Sequence, residues 1–185
     1  MGDPPWDAEV ADDDPVRPLL AAEGFEPYAR VAVMARPVEG MKPAPHVPGV
    51  TVEPYRNAWA EAFGNAERMA LEELDTFAEM GQPTGYEQAE GFDAFAVARD
   101  RDNMLGFAQA MLPEGWINHM GVVPDMRRKG IGTLLMAEIA KQVRDRRGTH
   151  LAALVQVDTP GQAFLASLGF RERGQRRTLM IRRAG

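Results

Sequence analysis

The 185-residue sequence predicts an α/β protein of the α+β kind, built on a mixed sheet. Three observations carry that expectation. Ile131, Leu135, Ile139 and Val143 recur every four positions with Leu134 beside them, which gives a long helix one buried face. A strand-like run, Trp116 to Val123, comes just before that helix and stops at Pro124. Leu151-Ala152-Ala153-Leu154-Val155 follows it and is apolar on both faces, as a strand covered by helices on both sides is.

Taken in order, the chain begins with a partial repeat. Asp13-Asp14-Pro15-Val16-Arg17-Pro18-Leu19-Leu20-Ala21-Ala22-Glu23-Gly24-Phe25 lies over Asp158 to Phe170 at an offset of 145, with Asp, Pro, Leu, Ala, Gly and Phe coinciding. Each copy runs on into a strand-like stretch, Arg30 to Arg36 and Thr178 to Arg182. Both read as helix, Gly cap, Phe, then antiparallel strand. The stretch 38–49, with its Gly40-Met41-Lys42-Pro43-Ala44-Pro45-His46-Val47-Pro48-Gly49, is Pro- and Gly-rich and reads as a linker.

A second, longer block covers 50–185. Val50 to Glu53 predicts a first strand, then helices over Asn57 to Phe63 and Ala66 to Met80, parted near Gly64 and Asn65. Gly81-Gln82-Pro83-Thr84-Gly85 breaks the pattern. Phe92 to Ala98 and Met104 to Leu112, joined at Asp100-Arg101-Asp102-Asn103, read as a hairpin. Pro113-Glu114-Gly115 turns into the strand at Trp116, and Gly148 is expected to cap the long helix. The order is βααβββαβαβ, with a further closing strand.

The join between strand and long helix carries the chemistry. Gly130 and Gly132 leave the backbone uncluttered where the helix begins. Up to four amide N–H groups there lack intrahelical partners and the helix dipole adds partial positive charge, so an anion such as phosphate fits. Arg127, Arg128 and Lys129 add formal charge at the mouth. The pattern is neither G-x-x-x-x-G-K-[ST] nor G-x-G-x-x-G.

V-x-P-x-x-R-x-x-G-x-G over Val122, Pro124, Arg127, Gly130 and Gly132, set in this order of elements, resembles the GCN5-related N-acetyltransferase (GNAT) superfamily across about residues 50 to 183. The resemblance implies the GNAT fold, acetyl-CoA as cosubstrate, and direct transfer of an acetyl group to a primary amine of a small molecule or peptide. It implies that amides of Arg128, Lys129, Gly130, Ile131, Gly132 and Thr133, next to Arg127, hold the pyrophosphate. The strand backbone at Met120, Gly121 and Val122 would pair with the pantetheine arm. In the same terms, residues 1–37 are the closing portion of a preceding GNAT-like domain, as in tandem GNAT proteins. Their strand is expected to pair with the closing strands of the 50–185 domain, in cis or across a homodimer.

The family often supplies a Glu as base on the strand before the loop and a Tyr as acid four residues before the G-F pair; here those positions hold Trp116 and Leu165. Its pantetheine-contacting Asn is replaced by Asp158. His119 and Glu114 are the remaining candidates for proton handling: an imidazole titrates near neutrality, and His119 lies on the strand that would present the thioester. Simple alternation places His119 opposite Asn118 and Met120, without saying which face looks into the cleft. Glu61, Glu72 and Glu73 lie on the helices that wall the acceptor site in this family. Trp59, Phe63 and Trp116 are large enough to shape a pocket, and equally suit the core.

Composition bounds the rest. Apolar residues make up 45% and charged residues 26%, ordinary for a globular domain. No apolar run approaches the roughly 20 residues of a membrane span, and the N-terminus lacks the basic start and apolar core of a secretory signal. Zero cysteines exclude disulfides and thiolate chemistry, which fits a cytoplasmic protein. Residues 51 to 125 carry 14 acidic and 4 basic side chains, whereas 126 to 185 carry 13 basic and 4 acidic. The basic half suits a polyanionic cofactor and the acidic half a cationic amine. Nucleic acid does not fit a net charge of −6 without aromatic-basic interleaving, and His46 and His150 show no metal-ligand spacing. Two functions are expected to compete: an acetyl-CoA-dependent N-acetyltransferase, and a degenerate GNAT-like module that binds acyl-CoA or a partner domain without turnover.

Overall fold

The computed structural model describes residues 6–71, 94–101 and 103–182. They form two compact units: Arg36–Ala152, and the residues up to Ala35 together with those from Ala153 onward.

In the larger unit the strands are β3 (Thr51–Pro54), β4 (Ala94–Asp100), β5 (Asn103–Met111), β6 (Trp116–Val122) and the start of β7 (His150–Gln156), in the order β7-β6-β5-β4-β3; β1 and β2 belong to the other unit. From β3 to β6 each neighbouring pair is antiparallel, and β7 follows β6 through the helix α3 (Ile131–Asp145). The fourfold spacing read from the sequence is the buried side of α3: Ile131, Leu135, Ile139 and Val143 are inside with Met136 and Ala140.

The helix α2 (Ala60–Leu71) packs its Phe63, Ala66 and Ala70 against Phe95, Val97 and Phe107 of the sheet. It differs from the expected pair of helices. A short 3-10 turn at Asn57–Trp59 leads into one helix that passes through Gly64 and Asn65 without a break. Both residues are exposed, so Gly64 costs about 1 kcal/mol of helix propensity, and the burial of Phe63, Ala66 and Ala70 outweighs it. The expected continuation to Met80, the break at Gly81–Gly85 and the first residues of the hairpin lie outside the described residues. The end of α3 also differs in detail. Arg147, not Gly148, takes the left-handed conformation (φ 65°). Gly148 closes the cap through its N–H, 2.9 Å from Val143 O, where a Cβ would sit 2.4 Å from Val143 Cγ1.

The linker is an extended strap. Val38 is buried and its N–H reaches Thr149 O at 3.0 Å, beyond the end of α3, while Pro45 and Val47 lie against Gly130 at the start of α3.

The smaller unit contains β1 (Trp6–Ala11), α1 (Arg17–Ala22), β2 (Glu26–Pro37, continuing past the unit boundary), the rest of β7, α4 (Pro160–Ser167) and β8 (Arg171–Arg182), with strand order β1-β8-β2-β7. The two long strands, 12 residues each, stand 145 apart (171 − 26 = 182 − 37). The helices end in the same pair of bonds, Gly24 N–H to Ala21 O with Phe25 N–H to Leu20 O, and Gly169 N–H to Ala166 O with Phe170 N–H to Leu165 O. At the same offset β1 falls on residues 151–156 of β7, so a strand precedes the helix in both segments. The strand carrying Val31 to Ala35 pairs with β8 within the chain, in register Val31↔Arg177 and Ala35↔Arg171. Because β8 also pairs with β1, the closing residues group with the first 35.

Asp12 ties this unit together. Its carboxylate accepts from the buried Thr178 hydroxyl of β8 at 2.7 Å and from Arg30 of β2 at 2.7 Å. These hydrogen bonds, Thr178 first, hold its pKa below the ordinary 3.8. A lowered folded-state pKa adds stability that is present above that value and lost as pH falls through it. Asp12→Asn should therefore lower the urea midpoint at pH 7, and the gap to the parent should shrink as the pH is taken below 3.8; an equal gap at both ends would refute the ionic contribution.

Candidate functional site

After Val122 the chain makes a 3-10 turn at Pro124–Met126, then passes through Arg128 (φ 62°) and Gly130 (φ 88°), both left-handed, before entering α3. Gly130 is the N-cap and no side chain caps the helix. The helical ladder starts at Leu134 N–H to Gly130 O, 3.0 Å, so the N–H groups of Ile131, Gly132 and Thr133 precede it, at the positive end of the dipole. Arg128 and Lys129 are exposed beside them. A Cβ on Gly130 would point at the strap, 3.3 Å from Val47 Cγ2 and 3.4 Å from Pro45 Cγ. The strap thus walls one side of the loop.

Arg127 does something different from its neighbours. Its Nε donates to Val122 O at 3.2 Å and its NH2 group to Ala70 O of α2 at 3.1 Å. The guanidinium clips the end of β6 to α2. Met120, Gly121 and Val122 are half-buried and pair with Ala108, Phe107 and Gly106 of β5.

A β-bulge settles the direction of His119. Ala110 pairs with Ile117 but Gln109 pairs with His119, so Asn118 is an extra residue in β6. Residues directly opposite share a face. Trp116, His119 and Gly121 therefore lie on one face with Met111, Gln109 and Phe107, although simple alternation would part Trp116 from His119. This face carries α2, since a Cβ on Gly121 would sit 2.8 Å from Ala70 Cβ and 2.6 Å from Phe107 Cζ. His119 stands on the face of Trp116, where the resemblance puts a base.

On that face His119 Nε2 meets Glu67 Oε1 of α2 at 2.6 Å, and the Phe107 ring stacks on the imidazole at 4.9 Å. Glu67 escaped the sequence reading because 52 residues separate the partners. A signal existed: Glu67 shares the helix face of Phe63, Ala66 and Ala70, which makes it a carboxylate in an apolar stripe.

The other candidates are dispersed. Glu114 is exposed in the β5–β6 turn, before β6 begins, whereas His119 lies within β6 beside Glu67. Phe63 is core, stacked edge-on against Phe95 and Phe107. Trp59 is held between Arg99 at 4.4 Å and Arg56 at 5.2 Å, both paired to Glu53. Glu61 is exposed on α2, and Glu72 and Glu73 lie outside the described residues. Leu165 is buried in the smaller unit. Among the described residues no three His, Asp or Glu side chains are grouped to hold a metal, and no helix is long and apolar enough to cross a membrane.

Residues 91–172, which include β4 to α4 and the whole loop, match the family model of the acetyltransferase (GNAT) domain. Over that stretch the chain is similar to the GNAT acetyltransferase domain. Its fold is similar to a GCN5-related N-acetyltransferase from Sphaerobacter thermophilus, with a TM-score of 0.70 and 19% identity over 96% of this chain and 59% of that one. A tandem GNAT protein from the clavulanic acid biosynthesis pathway matches with a TM-score of 0.68 and 19% identity over 98% of this chain and 64% of its own. A GCN5-related N-acetyltransferase from Kribbella flavida gives 0.64 and 18%, over 97% and 68%. The chain thus spans about three fifths of the length of the first two. No curated protein matches the sequence.

The packing of α2 on β6 is testable without any ligand. Gly121→Val would force Phe107 and Ala70 apart and should cost about 1–3 kcal/mol, read as a lower denaturant midpoint with an unchanged slope. Wild-type stability in that variant would show that α2 does not seat at Gly121.

Proposed function

We propose that this chain is an acetyl-CoA-dependent N-acetyltransferase that moves an acetyl group directly to a primary amine of a small molecule or peptide. The observation that carries it is the loop from Arg127 to Thr133: an uncapped helix start with two left-handed residues and two exposed cations, placed after β6 inside the matched GNAT stretch. Amides of Arg128 to Thr133 hold the pyrophosphate, and the β6 backbone around Met120 to Val122 meets the pantetheine arm. The cosubstrate supplies an activated acyl group as a thioester.

The protein's own residues bind, orient and take a proton. An alkylammonium has a pKa of roughly 10.4 and must be deprotonated before it attacks. Of the two proton-handling candidates the geometry favours His119, on the α2 face, over the outlying Glu114. Positioning of both reactants supplies about 7–11 kcal/mol, and a general base a further 10²- to 10⁴-fold or so. We read residues 1–37 as the closing part of a second GNAT-like unit, 38–49 as a linker and 50–185 as the catalytic domain; the constant offset of 145 between the two strand–helix–strand segments supports that reading. A soluble cytoplasmic enzyme without a metal is consistent with the composition.

The second reading, a module that binds acyl-CoA without turnover, draws on Trp116 and Leu165 standing where the family's usual base and acid would be. Thiol release from acetyl-CoA across a panel of amines separates the two, since turnover with any amine excludes the second.

Acetyl-CoA should raise the melting temperature; at about 100 times Kd the native state gains about 2.7 kcal/mol. In the Arg128→Ala/Lys129→Ala variant the affinity for CoA should fall about tenfold or more at low salt, because hydrogen bonds to charged groups contribute roughly 1.5–3 kcal/mol each. A melting curve indifferent to acetyl-CoA would sink the proposal.

A further inference from the structure

We propose that Glu67 is a positioning residue for His119, holding the imidazole in the tautomer whose Nδ1 accepts the proton of the amine. The inference rests on the acetyl-transfer reading for its catalytic meaning, but its physical content stands on the pair alone.

An ionised carboxylate has no hydrogen to give. At 2.6 Å from Glu67 Oε1, His119 Nε2 is the N–H donor of the bond when Glu67 is a carboxylate, and in the neutral ring the lone pair then belongs to Nδ1. The contact lies at the short, charge-assisted end of hydrogen-bond lengths. Its side chains are only 12% exposed for Glu67 and 22% for His119, so water competes weakly for either end.

The surroundings fix the pair in place rather than merely tolerate it. Phe107 stacks nearly parallel to the imidazole, 24° between planes, and limits its rotation. Three residues along α2 from Glu67, Ala70 sits over Gly121, two residues along β6 from His119. A helix advances about 4.5 Å in three residues and a strand about 6.6 Å in two, so seating Ala70 on Gly121 brings Glu67 over His119. The Arg127 clip to Ala70 O and Val122 O fastens the same register one residue further on. Four contacts thus set one angle, that of the imidazole ring.

The step balances as follows. One proton leaves the ammonium for His119 Nδ1, giving an imidazolium whose Nε2–H stays on the Glu67 carboxylate. The amine lone pair forms the N–C bond, the C–S bond breaks, and the second N–H proton goes with the leaving thiolate as CoA thiol. His119 then returns its proton to solvent, a net release of one proton per acetyl group transferred. Glu67 exchanges no proton in this step and acts only through His119.

The test is 15N NMR of histidine-labelled full-length protein near pH 8, with His46→Gln and His150→Gln variants assigning the three imidazoles. His119 is expected as the Nε2–H tautomer, and Glu67→Gln, whose amide can donate as well as accept, should shift it towards a mixture or to Nδ1–H. Glu67→Asp should recover part of the native signature. With whichever amine the wild type acetylates, Glu67→Gln should lower kcat on the order of 10²-fold and leave the KM for acetyl-CoA within about twofold. An Nδ1–H or doubly protonated His119 in the wild type overturns the proposal, as does a tautomer or kcat unmoved by Glu67→Gln. The wild-type spectrum decides even if the variants do not fold. Acetyl-CoA binding measured on the same samples keeps the two readings apart: its loss removes the acetyl-transfer reading and leaves the tautomer result standing.

Discussion

Gly121 has no side chain, and the space one would need is filled by Phe107 and by Ala70 of α2. Much of the α2-covered face of the larger unit's sheet depends on that approach. It lets the helix lie close enough for Glu67 to reach His119, and for the Ala70 carbonyl to receive the Arg127 guanidinium. Phe107 in turn joins His119 to the aromatic core of Phe63, Phe95 and Tyr55. A polar pair is therefore seated on an apolar platform, where its geometry is set by packing.

The loop before α3 divides its labour between side chains and backbone. Among the described residues Arg127 donates to two main-chain carbonyls, which holds the loop to β6 and α2. Arg128 and Lys129 stay exposed, and Gly130 turns the chain so that the first amides of α3 come ahead of its hydrogen-bonded ladder. An anion site of the proposed kind, built from main-chain groups, would be insensitive to side-chain identity except where a side chain would not fit. Gly130 is such a place, because its φ of 88° and the strap at Val47 and Pro45 leave little room for a substituent.

The smaller unit follows a different logic. Its two strand–helix–strand segments, 145 residues apart, contribute alternate strands to the order β1-β8-β2-β7, so the strands of each segment are flanked by those of the other. The long central strands are paired over most of their length, and β1 covers the second edge of β8. Apolar strand edges that would otherwise be open are thereby closed, and Asp12 links β8 and β2 through Thr178 and Arg30.

What the sequence determined by itself was local. The fourfold spacing from Ile131 to Val143 specified a one-sided helix, the Gly-Phe closure specified both helix ends in the repeat, and the order of elements with R-x-x-G-x-G pointed to a GNAT domain. These features are encoded within a turn or two of chain, where periodicity and backbone permissiveness act directly. Gly64 and Asn65 misled because their cost is local while the burial that overrides it comes from the sheet. The orientation of His119 and its partner were decided by tertiary structure alone. One extra residue at Asn118 reverses the faces of β6, and only a strand pairing can register it. Glu67 reaches His119 across 52 residues because a glycine on β6 admits α2, a fit that exists only once both surfaces are formed.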